Sequence, residues 1–529
     1  MRIVTSETMA EIDRLSQEEY RIPGILLMEN AGAGAFHRLQ SLWESSRDAS
    51  VMSDLRWVCI AGGGNNGGDA LVMARHALIA GINGIHVIMR NRKMNELASV
   101  HQKIVSSLGI PVSYWEEDRE EARNLIRQAD LVIDGIAGTG MKGSLRGSAA
   151  EIVECLNDEC PAYIAAVDIP SGLSSSYRSG YPVVQSDLTL TMGLPKLSLY
   201  TPAGRSFCGE IEVIDPGFPP ELLQHPKDAA VLIMKNAWNC LWQGLEVESV
   251  NQSVYKNTRG HLGVFAGNTG TTGAALLAAE SAGRTGTGLV TLYTDPPLFQ
   301  IAASQLLSVM VRPLDPEAGA EKDPAELFGR PSAFLAGPGW GIAGREGLLL
   351  RLLESGIPGV IDADGLSVLK NLLKGDKSEK IPDLLNENWI LTPHPGEFMK
   401  LADGTAADCG KDDLLAHPLE AMKSLSRTLK CIICLKTQVV WIVHPNGRYV
   451  IIDGMNAAMG TGGSGDILAG ITAGLLSRGI SPFEAVIIAA SVHQQAGAIA
   501  AGREGWFLSE DLLPYISVLL GGGDGQRPQ

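Results

Sequence analysis

Two glycine-rich segments of the chain each run into an aspartate at the start of an apolar helix pattern. They are GGGNNGGD (62–69), which ends in Asp69, and GTGGSGD (460–466), which ends in Asp466. Glycines before a helix expose backbone N–H groups beside the positive end of the helix dipole, which attracts anions. An aspartate repels a bound phosphate there. Asp466 instead suits a base that takes a proton from a hydroxyl while neighbouring amides stabilise a transferring phosphoryl group.

The first loop also has the spacing of a dinucleotide-binding loop. Gly62, Gly64 and Gly67 satisfy G-x-G-x-x-G between a strand and a helix. Asp69 disfavours a pyrophosphate at that helix, and the next strand ends in Arg90 where NAD enzymes carry an acidic residue. Arg90 also suits a 2′-phosphate, so an NADP-dependent oxidoreductase stays open. Gly68 follows Gly67 in place of lysine, which excludes a Walker phosphate loop.

Oxygen-bearing side chains gather at the ends of several predicted strands in the first half of the chain. They are Asn65, Asn66, Asp69, Asp134, Asp168 and Ser171. Strand ends of an open parallel sheet converge on one crevice, and hard oxygens suit potassium, magnesium or calcium but not zinc. Helix and turn capping is the alternative for any single member. The whole set, beside a second glycine loop at 138–147, favours a site.

The first half of the chain resembles a known family through three specific motifs. GGGNNGGDA, LVIDGIAGTGMKG and AVDIPSGL resemble the NAD(P)H-hydrate epimerase family over essentially all of residues 1–222. That family inverts C6 of NADH or NADPH that has taken up water. The resemblance implies that Asp168 binds the substrate as the candidate acid or base, and that potassium is held by Asn66, Asp134 and Ser171. It implies further nucleotide contacts from Asn65, Asn66, Gly67, Gly68, Asp69, Gly138, Thr139, Gly140, Met141, Lys142, Gly143 and Ser144.

The second half resembles the ribokinase-like superfamily. GTGGSGD, together with AGPGWG, DADGL and TPHPGE, matches its ADP-dependent NAD(P)H-hydrate dehydratases over about residues 250–510. In that family ADP or ATP phosphorylates the misplaced hydroxyl, and phosphate then leaves. The resemblance implies Asp466 as the base and Mg²⁺ with ADP. It implies substrate contacts from Ala274, Gly339, His394 and Asp466, and ADP or AMP contacts from Lys436, Thr437, Gln438, Val439, Val440 and Gly465. A rigid turn is the alternative role for His394.

The adenosine-phosphate loop departs from that family's pattern. The family usually has Lys-Gly-x-x-Thr, whereas this chain has Lys436-Thr437-Gln438-Val439-Val440. Losing one neutral hydrogen bond costs about 0.5–1.5 kcal/mol, so we expect ADP binding up to roughly tenfold weaker. We expect Val440→Thr with Thr437→Gly to tighten it.

Strands alternating with helices must position these residues. Predicted strands at 57–61, 85–89, 131–134, 163–168, 188–192 and 210–215 indicate a first α/β unit. The pattern restarts at 261–267 and includes a hairpin at Asn446-Gly447. We predict two three-layer α/β/α domains, a Rossmann-like one at 1–222 and a ribokinase-like one at 228–520, joined by a linker at 216–228.

Composition limits the alternatives. Among 529 residues the net charge is −16, which disfavours a nucleic-acid binder. Eight cysteines are too few for a disulfide framework, and Cys431 and Cys434 lie in an apolar run that predicts buried thiols. The N-terminal segment predicts a capped amphipathic helix, and no apolar run reaches about 18 residues. We expect a cytoplasmic homo-oligomer with no membrane partner.

Both halves imply one substrate. We expect a chain that equilibrates R and S NADHX and NADPHX in its first domain and dehydrates the S form with ADP in its second. The enzymatic alternative is a ribokinase-type small-molecule kinase fused to an NADP-binding domain. A non-catalytic nucleotide sensor is the third hypothesis, against which Asp168 and Asp466 argue.

Overall fold

The computed structural model describes residues 1–45, 52–224, 226, 230–233, 256–315, 331–375 and 378–521. The chain divides into two compact units, Arg2–Ala230 and Val231–Gln529, with Met1 grouped in the latter. The sequence placed the boundary between residues 222 and 228, and residues 227–229 lie outside the described part of the chain.

The first unit alternates strands with helices. Its strands are β1 (Arg2–Ile3), β2 (Trp57–Ala61), β3 (Ile85–Met89), β4 (Val112–Tyr114), β5 (Leu131–Gly135), β6 (Tyr163–Val167), β7 (Leu188–Met192) and β8 (Glu210–Ile214). Its helices are α1 (Ser6–Glu18), α2 (Gly24–Ser45), α3 (Asn65–Ile79), α4 (Glu96–Ser107), α5 (Arg119–Gln128), α6 (Ser148–Glu159) and α7 (Pro220–Gln224).

Seven strands of this unit form one parallel sheet in the order β4-β3-β2-β5-β6-β7-β8. Alternate residues of β2 enter different apolar clusters, Cys59 on one face and Ile60 on the other. Both faces are therefore covered, as in a three-layer Rossmann-like fold. The chain changes direction across the sheet between β2 and β5. Ligands of such sheets bind at this switch point, beyond the carboxyl ends of the strands.

The second unit follows the same principle with a larger sheet. Its strands are β9 (Ala230–Ile233), β10 (His261–Phe265), β11 (Leu289–Thr294), β12 (Met310–Pro313), β13 (Ala333–Ala336), β14 (Gly359–Ile361), β15 (Trp389–Leu391), β16 (Ile432–Leu435), β17 (Val439–Val443) and β18 (Tyr449–Asp453). Its helices are α8 (Thr272–Arg284), α9 (Phe299–Gln305), α10 (Glu346–Glu354), α11 (Asp364–Lys374), α12 (Ile381–Leu385), α13 (Pro395–Ala402), α14 (Lys411–Ala416), α15 (Pro418–Leu429), α16 (Ser464–Ser477), α17 (Pro482–Glu504) and α18 (Leu513–Leu520).

These strands are ordered β9-β18-β17-β16-β15-β14-β13-β10-β11-β12. The pairs of β17 with β16 and with β18 are antiparallel, and the remaining described pairs are parallel. The switch point lies between β10 and β13. Val264 and Leu335 of these strands belong to one large core cluster, whereas their neighbours Phe265 and Phe334 are fully buried outside it. The predicted α/β fold class is confirmed for both units.

Two local predictions are confirmed by the structure, and a third is wrong in part. The hairpin at Asn446-Gly447 joins β17 to β18, and Cys431 and Cys434 are fully buried, both as predicted. The linker prediction for 216–228 is wrong in part, because α7 folds within it and Phe218 is only 8% exposed. The apolar side chain of Phe218 packs in a cluster with Val4 and Met9 of the first unit, which anchors this stretch.

One helix of the second unit is long and apolar enough to cross a membrane by length and composition. It is α17, with a mean hydropathy of 1.3 over its most apolar window, of which 67% is buried inside the protein. Val486, Ala489 and Val492 of this helix belong to the large core cluster. We therefore assign α17 as a core helix.

Candidate functional site

A cavity of about 900 Å³ opens at the switch point of the first sheet. The first glycine loop and the start of α3 form one wall. Gly62 begins this loop and packs against the carbonyl of Ile136 after β5, with which a side chain on Gly62 would collide. Asp168, after β6, forms another wall. The loops that follow β2 and β6 thus present polar groups to one space, as the sequence predicted for strand ends.

The cavity brings together part of the predicted nucleotide-contact set. The members on its wall are Asn65, Asn66, Asp69, Gly138, Thr139, Gly140, Met141 and Asp168. Gly67 and Gly68 do not line it, and a Cβ on them would meet Gly62 O and the Met28 sulfur. These two glycines therefore allow close packing of α3. Lys142, Gly143 and Ser144 continue the second glycine loop away from the wall.

Asp69 and Asp168 occupy very different electrostatic environments on this wall. Burial raises the pKa of Asp69 well above its usual range; Asp168 and Asp13 add to the shift, and Lys196 opposes it. Asp168 forms an ion pair with Lys196, whose side chain is 1% exposed. The backbone of Asp168 has a φ of 65°, in the left-handed region that a non-glycine residue rarely adopts. Strain of this kind concentrates at functional sites.

A second feature lies beneath the cavity, where Asp134 and Ser171 are both fully buried. Ser171 Oγ donates to Asp134 Oδ1 at 2.6 Å, and the Ser171 N–H donates to Oδ2 at 2.8 Å. Burial raises the pKa of Asp134 to about 6, although hydrogen bonds from Ser171 and Ile136 oppose the shift. The amide nitrogen of Asn66 is buried with no hydrogen-bond partner among the described residues. The buried oxygens of Asp134 and Ser171 fit a monovalent or divalent hard cation, and Asn66 would have to contribute its amide oxygen, because an N–H donor does not bind a cation.

Charged residues of the second unit gather at one edge of its sheet. Asp362 follows β14, Lys436 follows β16, and Asp466 lies at the start of α16. Lys436 Nζ contacts Asp362 Oδ1 at 2.5 Å. A Cβ on Gly465 would lie 3.3 Å from the same Nζ, so this ammonium lies over the glycine loop. Burial opposes the charged form of Lys436, but Asp362 outweighs it and raises the lysine pKa. The loop thus combines backbone amides, a helix N-terminus and a fixed cation.

Asp466 stands in the first turn of α16, inside this charged group. Burial raises the pKa of Asp466 to about 7; Asp362 adds to the shift and Lys436 opposes it. Gly463 before it has a φ of 91°, which only glycine adopts without strain. A carboxyl that titrates near neutral pH beside an anion-attracting loop can act as a general base at physiological pH.

Ala274 and Gly339 meet at the switch point of the second sheet. A Cβ on Gly339 would lie 3.0 Å from that of Ala274, and Thr271 Oγ1 donates to Gly339 O at 2.7 Å. His394 caps α13, since its Nδ1 accepts from the Gly396 N–H at 3.0 Å. The His394 side chain is 56% exposed, so the ring caps the helix and still faces solvent. Lys436 N donates to Pro393 O at 2.9 Å, which places His394 near the lysine loop.

Models of two families match the chain. A model described as YjeF-related protein N-terminus matches residues 25–198, and one described as NAD(P)H-hydrate dehydratase matches residues 262–517. A relative from Moorella thermoacetica named bifunctional NAD(P)H-hydrate repair enzyme Nnr is 32% identical over 98% of this chain and 97% of its own. A relative of the same name from Salinibacter ruber is 30% identical over 99% and 97%.

This chain belongs to the bifunctional NAD(P)H-hydrate repair enzyme family. The resemblance drawn from the motifs is thereby confirmed, and so is its assignment as a two-domain enzyme. A solved structure of an ADP/ATP-dependent NAD(P)H-hydrate dehydratase from Bacillus subtilis is 24% identical, with a TM-score of 0.43, and covers 51% of this chain and 91% of its own.

Membership of the repair enzyme family does not explain every residue assigned to the ADP loop. Val439 and Val440 belong to β17, where they are 0% and 3% exposed, and Val440 packs in the large core cluster. Thr437 Oγ1 accepts from the Val439 N–H at 3.3 Å and closes its own turn. Val440 is therefore a core residue of β17, and the expectation that a threonine at 440 would offer a hydroxyl to ADP stays a prediction. The apolar run VVWIV carried the signal, because it is typical of a buried strand.

Sequence reasoning missed Lys196. It follows β7 and lines the first cavity next to Asp168, but it is 28 residues away from Asp168 in sequence. Only the ladder that pairs β6 with β7 brings the two together. Arg90 was singled out and does line the cavity, where its Nε is buried with no hydrogen-bond partner among the described residues.

Proposed function

We propose that this chain repairs hydrated NADH and NADPH with one activity in each unit. The first domain, 1–222, epimerises the R and S hydrates at C6. The second, 228–520, dehydrates the S hydrate at the expense of ADP and forms AMP and phosphate. Matches to both family models and full-length relatives support the pair of activities. The observation that carries the dehydratase is Asp466, with its pKa of about 7, inside the anion-attracting loop.

Epimerisation requires the C6 hydroxyl to leave and return on the other face of the ring. The adjacent ring nitrogen supplies electrons to the carbon as the oxygen departs, so the protein needs only to supply and remove protons. Asp168 is the candidate acid or base, because it faces the cavity and is held in a strained, fixed orientation. Asn65, Asn66 and the loop Gly138–Met141 form the surrounding wall that orients the nucleotide.

Asn66, Asp134 and Ser171 are proposed to hold potassium under the cavity floor. The fit rests on the fully buried Asp134 carboxylate, which has no cationic partner among the described residues, and on the buried hydroxyl of Ser171. When bound, a potassium ion would supply positive charge near the substrate. Among the chain's own groups, Ser171 positions Ala137, whose N–H donates to Ser171 Oγ at 2.8 Å, just before the loop that begins at Gly138.

Dehydration is proposed to begin with phosphorylation of the C6 hydroxyl. Asp466 takes the hydroxyl proton as the oxygen attacks the terminal phosphate of ADP, and the amides near Gly465 with Lys436 stabilise the transferring group. Phosphate then leaves with a push from the ring nitrogen, and loss of a proton from C5 of the resulting iminium restores the C5–C6 double bond. Mg²⁺, which accompanies ADP, would lie among Asp362, Asp364 and Glu397, whose charges all raise the pKa of Asp466.

The partners of this function are small molecules: NADHX, NADPHX and ADP. A net charge of −16 disfavours nucleic acid as a partner. We place the protein in the cytoplasm as a homo-oligomer.

Resolved hydrates test both activities. With ADP and pure S-NADHX, the protein should regenerate the absorbance of the dihydronicotinamide ring; a ribokinase-type kinase would phosphorylate another acceptor and leave that absorbance unchanged. Without ADP, the protein should interconvert R and S hydrates on a chiral column. No conversion in either assay would contradict the proposed function.

A further inference from the structure

Lys196 is a buried cation on the wall of the first cavity. Its side chain is 1% exposed, and its ammonium donates to Asp168 Oδ1, to Thr191 Oγ1 at 3.1 Å and to Met192 O at 2.6 Å. An ammonium has three N–H bonds, so all of its donors are used. A buried charge persists only when it is paired and hydrogen-bonded. Lys196 is therefore fixed in place as the partner of Asp168.

Asp168 is held from one side only. Its Oδ1 accepts from Lys196 and from the Met192 N–H at 3.1 Å, and its own N–H donates to Leu190 O at 2.8 Å. No described residue donates to Oδ2, and Asp168 lines the cavity. One oxygen is thus anchored by a cation while the other is free to meet a substrate.

Asp69 is the second carboxyl on the same wall, and it has no ion pair within the described residues. It is 8% exposed and lies in the second turn of α3. The charged groups on the cavity wall are Asp13 on α1, Asp69 on α3, Arg90 and Lys93 after β3, Asp168 after β6 and Lys196 after β7. Burial, Asp168 and Asp13 all favour the neutral form of Asp69, and Lys196 only partly opposes them.

We propose that Asp69 and Asp168 work as an acid–base pair, with Asp69 the neutral acid, Asp168 the ionised base and Lys196 the positioning residue that holds this division. The inference rests on the proposed epimerase activity and assigns roles within it. Two carboxyls in different surroundings, one paired with a buried ammonium and one without an ion pair among the described residues, suit such a division.

The protons and bonds of the proposed reaction balance over one turnover. Asp69 gives its proton to the C6 hydroxyl, the C6–O bond breaks with its electrons on oxygen, and water leaves as the ring nitrogen forms a double bond to C6. Water then adds to the opposite face, its oxygen forms the new C6–O bond, and Asp168 Oδ2 accepts the released proton. One proton passes from Asp168 back to Asp69 through cavity water before the next turnover. In the reverse direction the roles exchange: a proton first passes from Asp69 to Asp168 through cavity water, Asp168 protonates the hydroxyl, and Asp69 accepts the proton released when water adds.

The test is the pH profile of kcat/KM for epimerisation in the full chain. The wild type should lose activity at high pH, an alkaline limb set by Asp69, because only its neutral form donates a proton. Lys196→Gln should lower kcat with little change in KM, since Asp168 loses the ammonium that anchors its Oδ1, and Lys196→Arg should restore kcat. Asp69→Asn should remove the alkaline limb and lower kcat by about 10²-fold or more.

Controls separate these effects from damage to the fold. Arg38→Gln removes another ion pair of the same unit, to Glu212 at 2.9 Å, away from the cavity, and should leave kcat and the alkaline limb unchanged. Dehydration of pure S-hydrate reports that each variant chain is intact. Should Lys196→Gln fail to fold, infrared difference spectra of wild type and Asp69→Asn still test the pair, because only a neutral Asp69 contributes a carboxylic-acid C=O stretch at neutral pH.

An unchanged kcat in Lys196→Gln, or a loss that Lys196→Arg does not restore, would remove the positioning role of Lys196 and overturn the proposal. An alkaline limb that persists in Asp69→Asn, or the absence of its carboxylic-acid stretch in the wild type, would also overturn it. A wild type without any epimerisation would instead contradict the proposed function itself and the pair with it.

Discussion

Replacing Asp466 by Asn removes the proposed base of the dehydratase and keeps the shape of the side chain. At pH 7 about half of the Asp466 carboxyls are ionised, since the pKa is about 7. An amide accepts no proton, so ADP-dependent dehydration should fall by about 10²–10⁴-fold, or roughly 2.7–5.5 kcal/mol of barrier. Epimerisation by the first unit should be unchanged. Folding should not suffer, because Asn removes the repulsion between Asp466 and Asp362.

The pH dependence gives a second measure of the same group. Only the ionised form is a base, so kcat/KM for dehydration of the wild type should rise with pH and level off above about 7. Between pH 5 and pH 8 the ionised fraction changes by about two orders of magnitude, and the rate should follow it. The residual activity of Asp466→Asn should lack this dependence.

The assay follows the absorbance of the dihydronicotinamide ring with S-NADHX, ADP and Mg²⁺, at each pH. Asp412→Asn, an exposed carboxylate on α14, is the matched control and should behave as wild type. Dehydration by Asp466→Asn within a few-fold of wild type would refute the assignment of the base, as would a wild-type rate that is flat between pH 5 and pH 8.

Three other substitutions test separate parts of the structure. Potassium at ten times its Kd should stabilise the first unit by about 1.4 kcal/mol in thermal unfolding against a choline chloride control. Asp134→Asn should abolish that gain, and an equal gain in the variant would contradict the cation site. Arg90→Ala should raise KM for NADPHX more than for NADHX in epimerisation, because an unpaired guanidinium suits a phosphate; equal effects would remove that role. Val440→Thr should lower the free energy of unfolding of the second unit by about 1–3 kcal/mol in urea, because it buries an unpaired hydroxyl. Val231→Thr, at a position that is 37% exposed, is the control and should not lower it. Tighter ADP binding without destabilisation would contradict the placement of Val440.

The order of strands and loops followed from local patterns. Predicted strands at 85–89 and 188–192 coincide with β3 and β7, because buried parallel strands are continuous apolar runs between turn residues. Placing polar residues at strand ends was sufficient to gather Asn66, Asp69 and Asp168 around one cavity. The convergence is a property of the sheet and not of any single residue.

Other features depended on contacts distant in sequence. Lys196 pairs with Asp168 only through the β6–β7 ladder, and no local pattern marks it. The neutral state favoured for Asp69 arises from its burial and then from Asp168 and Asp13, which belong to other elements. Val440 was assigned to ADP by its position in a motif, and the structure places its side chain in the core of β17. The ADP contact itself stays a prediction.

The central claim, that one chain carries both activities, is tested most directly with pure R-NADHX and ADP. The wild type should convert all of it to NADH, because the first unit supplies the S hydrate that the second consumes. Asp168→Asn should convert R-NADHX no faster than uncatalysed epimerisation allows while it dehydrates S-NADHX at the wild-type rate. Equal rates of Asp168→Asn and wild type on R-NADHX, or no conversion of S-NADHX by either, would contradict the account.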